Sequence, residues 1–166
     1  MILSDGDIVK ELMYGGLKII PKPSDECIQP CSVDLHLAQD LKTLDGKTID
    51  IAQQSYKLKP KEFILASTVE YVEIPKHLCG QVEGRSSIAR NGIMIHITSG
   101  FIDAGYNGNI TLEVFNASEK EFELSWGLSI CQIVFHSLSN ECLRSYGDDG
   151  LNSKYQDSEG TVGSRL

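Results

Sequence analysis

Positive charge is scarce in this 166-residue chain: 15 Lys and Arg stand against 23 Asp and Glu, a formal net charge of −8, with a pI near 4.9. A surface that tracks a nucleic-acid backbone needs clustered Lys and Arg in excess, so general nucleic-acid binding is excluded. A small phosphorylated ligand is not, because exposed charges more than about 8 Å apart are largely screened at physiological salt, and a local arginine pair can hold an anion on an acidic protein. Long apolar runs are also missing. No stretch reaches the roughly eighteen residues of a membrane span, and Met1-Ile2-Leu3-Ser4-Asp5-Gly6-Asp7 has neither the basic nor the apolar region of an export signal. A cytoplasmic protein with no membrane partner is expected. The five cysteines, an odd count without an export signal, read as reduced thiols rather than a disulfide framework. Cys79 and Cys131 lie in apolar strand-like runs and are expected in the core, and Cys27-x-x-x-Cys31 lacks the second ligand pair of a metal site.

Helical periodicity is nearly absent. Ser4-Asp5-Gly6-Asp7 has the form of a capping box, and Ile8, Leu12 and the closing Gly15-Gly16 predict one helix over 4–15. Thereafter the period is two. Val33, Leu35 and Leu37 alternate with Ser32, Asp34 and His36, and similar runs follow at 48–51, 62–66, 69–74, 79–83, 93–98, 109–115, 121–125 and 129–136. Many short strands with turn signals between them predict an all-β sandwich or barrel within one domain spanning 1–166. Asn91-Gly92 and Asn107-Gly108 read as tight turns, since both residue types tolerate positive φ. Residues 145–166 are polar, Gly-rich and without periodicity, and are expected to be mobile.

The chemistry concentrates in the middle of the chain. Gly84-Arg85-Ser86-Ser87-Ile88-Ala89-Arg90 offers two forked guanidinium donors, two hydroxyls and a Ser-Ser pair able to start a short helix, all suited to phosphate oxygens. After a short gap come Gly100-Phe101-Ile102-Asp103-Ala104-Gly105-Tyr106 and then Thr111-Leu112-Glu113. An anion grip, a sugar-sized pocket and a carboxylate in this order suggest an enzyme acting on a nucleoside triphosphate. On the run 109–115, alternation puts Ile110, Leu112 and Val114 on one face and Thr111, Glu113 and Phe115 on the other. A carboxylate beside an aromatic ring, away from the aliphatic row, suggests a partly desolvated surface such as a subunit interface, where acid/base work is favoured.

With these runs, the chain closely resembles the dCTP deaminases of the dUTPase-like superfamily over nearly its whole length. Gln29-Pro30-Cys31-Ser32-Val33-Asp34-Leu35 is similar to that family's early strand, Gly127-Leu128-Ser129-Ile130-Cys131-Gln132 to its late strand, and Ser153-Lys154-Tyr155-Gln156 to its C-terminal lid. The resemblance implies a distorted β-barrel or jelly-roll protomer with one N-terminal helix and a lid at 145–166. It also implies a homotrimer with active sites between subunits, and hydrolytic deamination of dCTP with Mg²⁺ carried on the triphosphate and no zinc. Zinc nucleobase deaminases carry His-x-Glu with a later Pro-Cys-x-x-Cys, and none of His36, His77, His96 or His136 is followed by Glu two positions on.

By the same resemblance, Glu113 is the catalytic acid/base, and Ser86 with the carbonyl of Ser99 positions the water. The run from Arg85 through Ser87, Ile88 and Ala89 to Arg90 holds phosphates and orients the base. Asp103 bonds the 3′-OH, Tyr106 packs beneath the sugar, and Thr111 and Leu112, next to Glu113 in the chain, contact the substrate. Gln132, Tyr146, Lys154 and position 158 complete the nucleotide contacts. Gly100-Phe101 resembles the bifunctional branch that releases dUMP, ammonia and pyrophosphate; the monofunctional branch, which stops at dUTP, usually has His-Arg there. A monofunctional deaminase, a dUTP diphosphatase and a non-catalytic nucleotide-binding regulator are the alternatives. Three positions depart from the family pattern: His36 replaces Arg, Cys31 replaces Ala and Ser158 replaces Gln. The shorter Ser158 implies weaker lid closure and a higher KM, and the loss of Arg at 36 implies altered subunit packing.

Overall fold

The computed structural model describes residues 1–166. Helix α1, Asp5–Lys10, is capped as its sequence predicts, with Ser4 Oγ accepting from the Asp7 amide at 3.3 Å and donating to Asp7 Oδ2 at 2.9 Å. Residues Glu11–Gly15 continue it as a wider π turn, and Gly16 at φ +88° ends it. The expected helix over 4–15 is therefore six α-helical residues followed by a π turn, in which Glu11 lies across Gly15 and meets His77 Nε2 at 2.9 Å.

Everything else of length is antiparallel strand. The strands are β1 (Lys18–Ile20), β2 (Ile28–Gln29), β3 (Ser32–His36), β4 (Asp40–Lys42), β5 (Thr48–Asp50), β6 (Tyr56–Leu58) and β7 (Phe63–Glu73). After these come β8 (Leu78–Gly84), the short helix α2 (Ser86–Ala89), β9 (Ile93–Met94), β10 (Phe101–Ile102), β11 (Asn107–Asn116), β12 (Phe122–Leu124) and β13 (Ser129–Ser137). One sheet runs β5-β4-β7-β11-β9, with β1 also on β7; a second runs β10-β8-β13-β3-β2; β12 and β6 form a separate ribbon. The mainly β architecture matches the expectation from period two, and its jelly-roll-like form is compatible with the one the resemblance implies. Its core joins both sheets: Leu35, Ile64, Ala66, Val72, Val114, Ile133 and Phe135 are fully buried. Cys79 and Cys131 are buried too, and burial pushes both thiols up from their ordinary range.

Several expectations are corrected. The runs 62–66 and 69–74 are one strand, β7, and only Ile93–Met94 of 93–98 pairs as strand, because the chain then leaves the sheet for an exposed loop. Asn91-Gly92 is a turn, with Gly92 at φ +80°. Asn107-Gly108 is not; it opens β11, and a Cβ at Gly108 would sit 2.7 Å from Tyr106 Oη and 3.1 Å from the Ser158 amide. Glycine is needed there because the C-terminal segment packs onto it.

That segment packs against the start of β11. Ser158 bridges Gly108 in parallel fashion, the Asn109 amide donates to Ser158 O at 2.9 Å, and Gln156 both donates to Gly105 O and accepts from the Asn107 amide. Ser145, Ser158 and Thr161 are buried. Their hydroxyls find partners away from water, Ser158 Oγ on Tyr155 O and Thr161 Oγ1 on Asp40 O.

Two β-irregularities interrupt the ladders, one between Asn109 and Thr111 where β11 meets β7, the other between Ser129 and Cys131 where β13 meets β3. Such irregularities re-aim side chains next to functional sites. Here they lie one step from Glu113 and from Arg85 respectively.

Candidate active site

Strand β8 ends at Gly84 and passes directly into Arg85, whose extended backbone precedes α2. The Arg85 side chain folds back over the second sheet. Its Nη2 lies 3.0 Å from Asp34 Oδ2, and its Nη1 donates to Ser129 O at 3.3 Å. Asp34 is buried, and pairing is what a buried carboxylate requires. One step along the same face of β3, Ser32 Oγ donates to Gln132 Oε1 at 2.9 Å. These residues, with Gln29, Pro30, Cys31, Ser86 and Ser87, line an open groove of ≈ 420 Å³. Ser86 and Ser87 are exposed at its wall, ahead of the buried Ile88.

A second cleft, of ≈ 330 Å³, is lined by Asp103, Ala104, Arg144, Tyr146, Leu151, Asn152 and Ser153. Tyr146 is held there from two sides: its Oη accepts from the Tyr155 amide at 3.0 Å, and its ring lies 5.8 Å from that of Tyr106 at a 56° tilt. Tyr106 is a core residue behind the cleft. Its Oη donates to Asn109 O at 2.8 Å, and burial pushes its phenol well above the ordinary tyrosine range.

The third group surrounds Glu113. Strand β11 alternates as predicted, with Ile110, Leu112 and Val114 buried and Thr111, Glu113 and Phe115 half-buried on the other face. Glu113 Oε2 accepts from the Ile97 amide at 3.0 Å, at the start of an exposed loop carrying Thr98 and Ser99. Gly100 closes that loop, its carbonyl accepting from the Val82 amide at 2.7 Å, and Phe101 stands 61% exposed beyond it. His96 Nδ1 is buried nearby without a hydrogen-bond partner.

Within one chain, then, the expected residues fall into three places. Arg85, Ser86, Ser87 and Gln132 share the groove, Asp103 and Tyr146 share the cleft, and Glu113 lines neither. Ala89 on α2 and Arg90 just after it are exposed outside both cavities, and Ile88 and Leu112 are buried in the core. Thr111 Oγ1 accepts from the Val162 amide at 3.3 Å. Ser158 is buried, donating to Tyr155 O at 2.7 Å, and Lys154 lies in the C-terminal segment where its carbonyl accepts from Arg165. His36, where the family pattern has Arg, is held by the buried Glu70 carboxylate through both its amide, at 2.9 Å, and its Nδ1, at 2.6 Å. Sequence reasoning did not single out Ser32, Asp34 or Arg144. The alternation had put Ser32 and Asp34 on one face of a strand, but nothing in it says that the facing strands supply Gln132 and Arg85. For Arg144 the sequence carries no signal.

A sequence model of the dCTP deaminase-like family matches residues 2–138. The chain belongs to that family. Among its relatives is a protein of Halobacterium salinarum named "dCTP deaminase, dUMP-forming", 37% identical, the alignment covering 100% of this chain and 95% of that one. One of Methanosphaera stadtmanae with the same name is 36% identical over 99% of this chain and 93% of its own. A Halorubrum lacusprofundi protein named "dCTP deaminase" is 36% identical over 100% and 91%. Among solved structures, 2′-deoxycytidine 5′-triphosphate deaminase from Agrobacterium tumefaciens superposes with a TM-score of 0.71 at 20% identity, over 82% of this chain and 48% of that longer one. A dUTPase from phage phi11 of S. aureus superposes with a TM-score of 0.56 at 16% identity, over 81% and 99%. These two likenesses establish a dUTPase-like fold.

Proposed function

We propose that this protein is a dUMP-forming dCTP deaminase. The observation that carries the reading is identity of 36–37%, over essentially the whole chain, to several family members bearing that name. The geometry supports it. Glu113 is anchored through Oε2, which fixes the carboxylate and leaves Oε1 for a water. In the deamination, Glu113 takes a proton from water as its oxygen adds to C4 of cytosine. It delivers that proton to N3, then takes the proton of the new C4 hydroxyl and passes it to the amino group, and collapse of the tetrahedral centre to the C4 carbonyl breaks the C4–N bond: dCTP and water give dUTP and ammonia. A second water then attacks the α-phosphorus and breaks its bond to the bridging oxygen, giving dUMP and pyrophosphate.

Ser86 and the Ser99 carbonyl position the first water in this scheme, Arg85, Ser87 and Gln132 face the phosphates, and Asp103 takes the 3′-OH. Gly100 and Phe101 leave room for the second hydrolysis. No three His, Cys, Asp or Glu side chains gather to cage a metal, and the groove's Arg, Gln and Ser side chains suit phosphate oxygens. In this reading magnesium arrives on the triphosphate, where it would supply charge neutralisation. The separation of groove, cleft and carboxylate within one chain supports a homotrimer whose sites are completed between subunits. No helix is long and apolar enough to cross a membrane.

Incubation of the protein with dCTP and, side by side, dUTP in the presence of Mg²⁺ tests the reading. Ammonia, dUMP and pyrophosphate from dCTP are expected, and untouched dCTP would overturn it; accumulation of dUTP would assign the monofunctional alternative. Mixing Arg85→Ala with Glu113→Gln protein tests the shared site, since activity returns on mixing only where the two residues belong to different subunits of one site.

A further inference from the structure

Strand β3 contributes nothing to substrate contact in the scheme above, yet two of its side chains lie directly beneath the groove. Ser32 and Asp34 are two positions apart, so they share a face of the strand. Both are buried, at 4% and 7% exposure, and each is committed to one groove side chain on a neighbouring element. Asp34 stands opposite Gln132 in the β3–β13 ladder, which makes Ser32 the diagonal neighbour of Gln132.

The chemical effect of the two contacts is the same. An amide side chain has one accepting and one donating end, and the Ser32 hydroxyl occupies Gln132 Oε1 at 2.9 Å, so the NH₂ end is the one left for the groove. A guanidinium has five N–H donors in a fixed fork, and Asp34 Oδ2 takes one edge at 3.0 Å while Ser129 O takes another donor at 3.3 Å, leaving the remainder for the groove. The Ser86 and Ser87 hydroxyls beside them can donate as well, and donors are what phosphate oxygens need. Without Ser32, the Gln132 amide would be free to turn its oxygen toward a phosphate; without the Asp34 charge, the long arginine side chain would recover its rotamer freedom.

We infer that Ser32 and Asp34 are positioning residues that orient Gln132 and Arg85 so that the Gln132 NH₂ group and the free guanidinium N–H groups face the phosphate chain of the nucleotide. The inference rests on the reading of the groove as the phosphate site, and it adds the layer that sets the preference for a triphosphate over a monophosphate.

Equilibrium binding of dCTP and of dCMP, each measured on a Glu113→Gln background to prevent turnover, tests it. Asp34→Asn and Ser32→Ala are each expected to lower the dCTP-over-dCMP preference about tenfold, equivalent to ~1.4 kcal/mol, while dCMP affinity stays within about twofold. Asp34→Glu, which keeps the charge, is expected to recover most of the preference. A merely structural role would weaken both nucleotides together, and that result, or an unchanged preference in both variants, would overturn the inference. Arg85→Ala separates the two levels. If it leaves the triphosphate preference intact, the phosphate-site reading itself fails; if it abolishes the preference while Asp34→Asn and Ser32→Ala retain it, only the positioning role is wrong.

Discussion

Glu113 and Ile97 are sixteen residues apart, and the Glu113 carboxylate accepts the Ile97 amide at 3.0 Å. The contact joins the outward face of β11 to the loop that follows β9, where the Ile97 amide bonds a side chain and not a ladder partner. Glu113→Gln keeps an oxygen able to accept that amide but cannot take a proton. Ammonia release from dCTP should fall by about 10²–10⁴-fold, the usual contribution of a general acid/base, with the melting temperature little changed. Equal loss of stability and activity would mean that the carboxylate serves the loop alone.

The product of the reaction should depend on Phe101 more cleanly than on Gly100. Phe101 is 61% exposed, so Phe101→Arg fits without repacking. A Cβ at Gly100 would meet Val82 O at 2.9 Å and His96 Nε2 at 3.1 Å, so any side chain there moves backbone. Chromatography of the products should show Phe101→Arg shifting dCTP turnover from dUMP toward dUTP with the fold intact, and Gly100→His adding a loss of stability. An unchanged dUMP fraction in Phe101→Arg would remove that side chain from the second hydrolysis.

Thr161 fastens the C-terminal segment. Its Oγ1 donates to Asp40 O at 2.6 Å and lies 3.0 Å from Ser67 Oγ, both under cover of the segment. Thr161→Val keeps the shape and strands a carbonyl and a hydroxyl, each costing about 1–3 kcal/mol when buried without a partner. Limited proteolysis should cut the variant between 150 and 166 several-fold faster than the parent, while the core resists equally. Unchanged cleavage would show that the segment is fastened elsewhere, through Gln156 or Ser158.

What the sequence made legible follows the range of the interaction concerned. The Ser4 cap, the turn at Gly92 and the burial of Ile110, Leu112 and Val114 depend on neighbours within a few residues, and all were readable. The site's supporting contacts were not: Ser32 meets Gln132 across 100 residues, and Arg85 meets Ser129 across 44. The two-residue strands β2 and β10 exist only because longer partners hold them, β2 on β3 and β10 on β8, so they leave no periodicity of their own. The C-terminal segment misleads for a related reason. Its polar composition fits solvent, yet Gln156 accepts from the Asn107 amide, the Ser158 carbonyl accepts from the Asn109 amide, and Thr161 donates to Asp40 O.

Alkaline unfolding should report on the ribbon formed by β6 and β12. Tyr56 Oη donates to Glu62 Oε1 at 2.5 Å, linking β6 to the residue just before β7. The hydrogen bond to Glu62, reinforced by burial, pushes the phenol up to about 12 from an ordinary value near 10. The raised value fixes the sign: folding favours the protonated phenol, so its contribution is complete below about pH 10 and is lost as the pH rises through about 12. Denaturant midpoints measured across that window should fall more steeply for the parent than for Tyr56→Phe, which has no proton to lose, and the two curves should run parallel between pH 7 and 9. Parallel curves at every pH would assign the alkaline transition to another group, such as the buried thiol of Cys131.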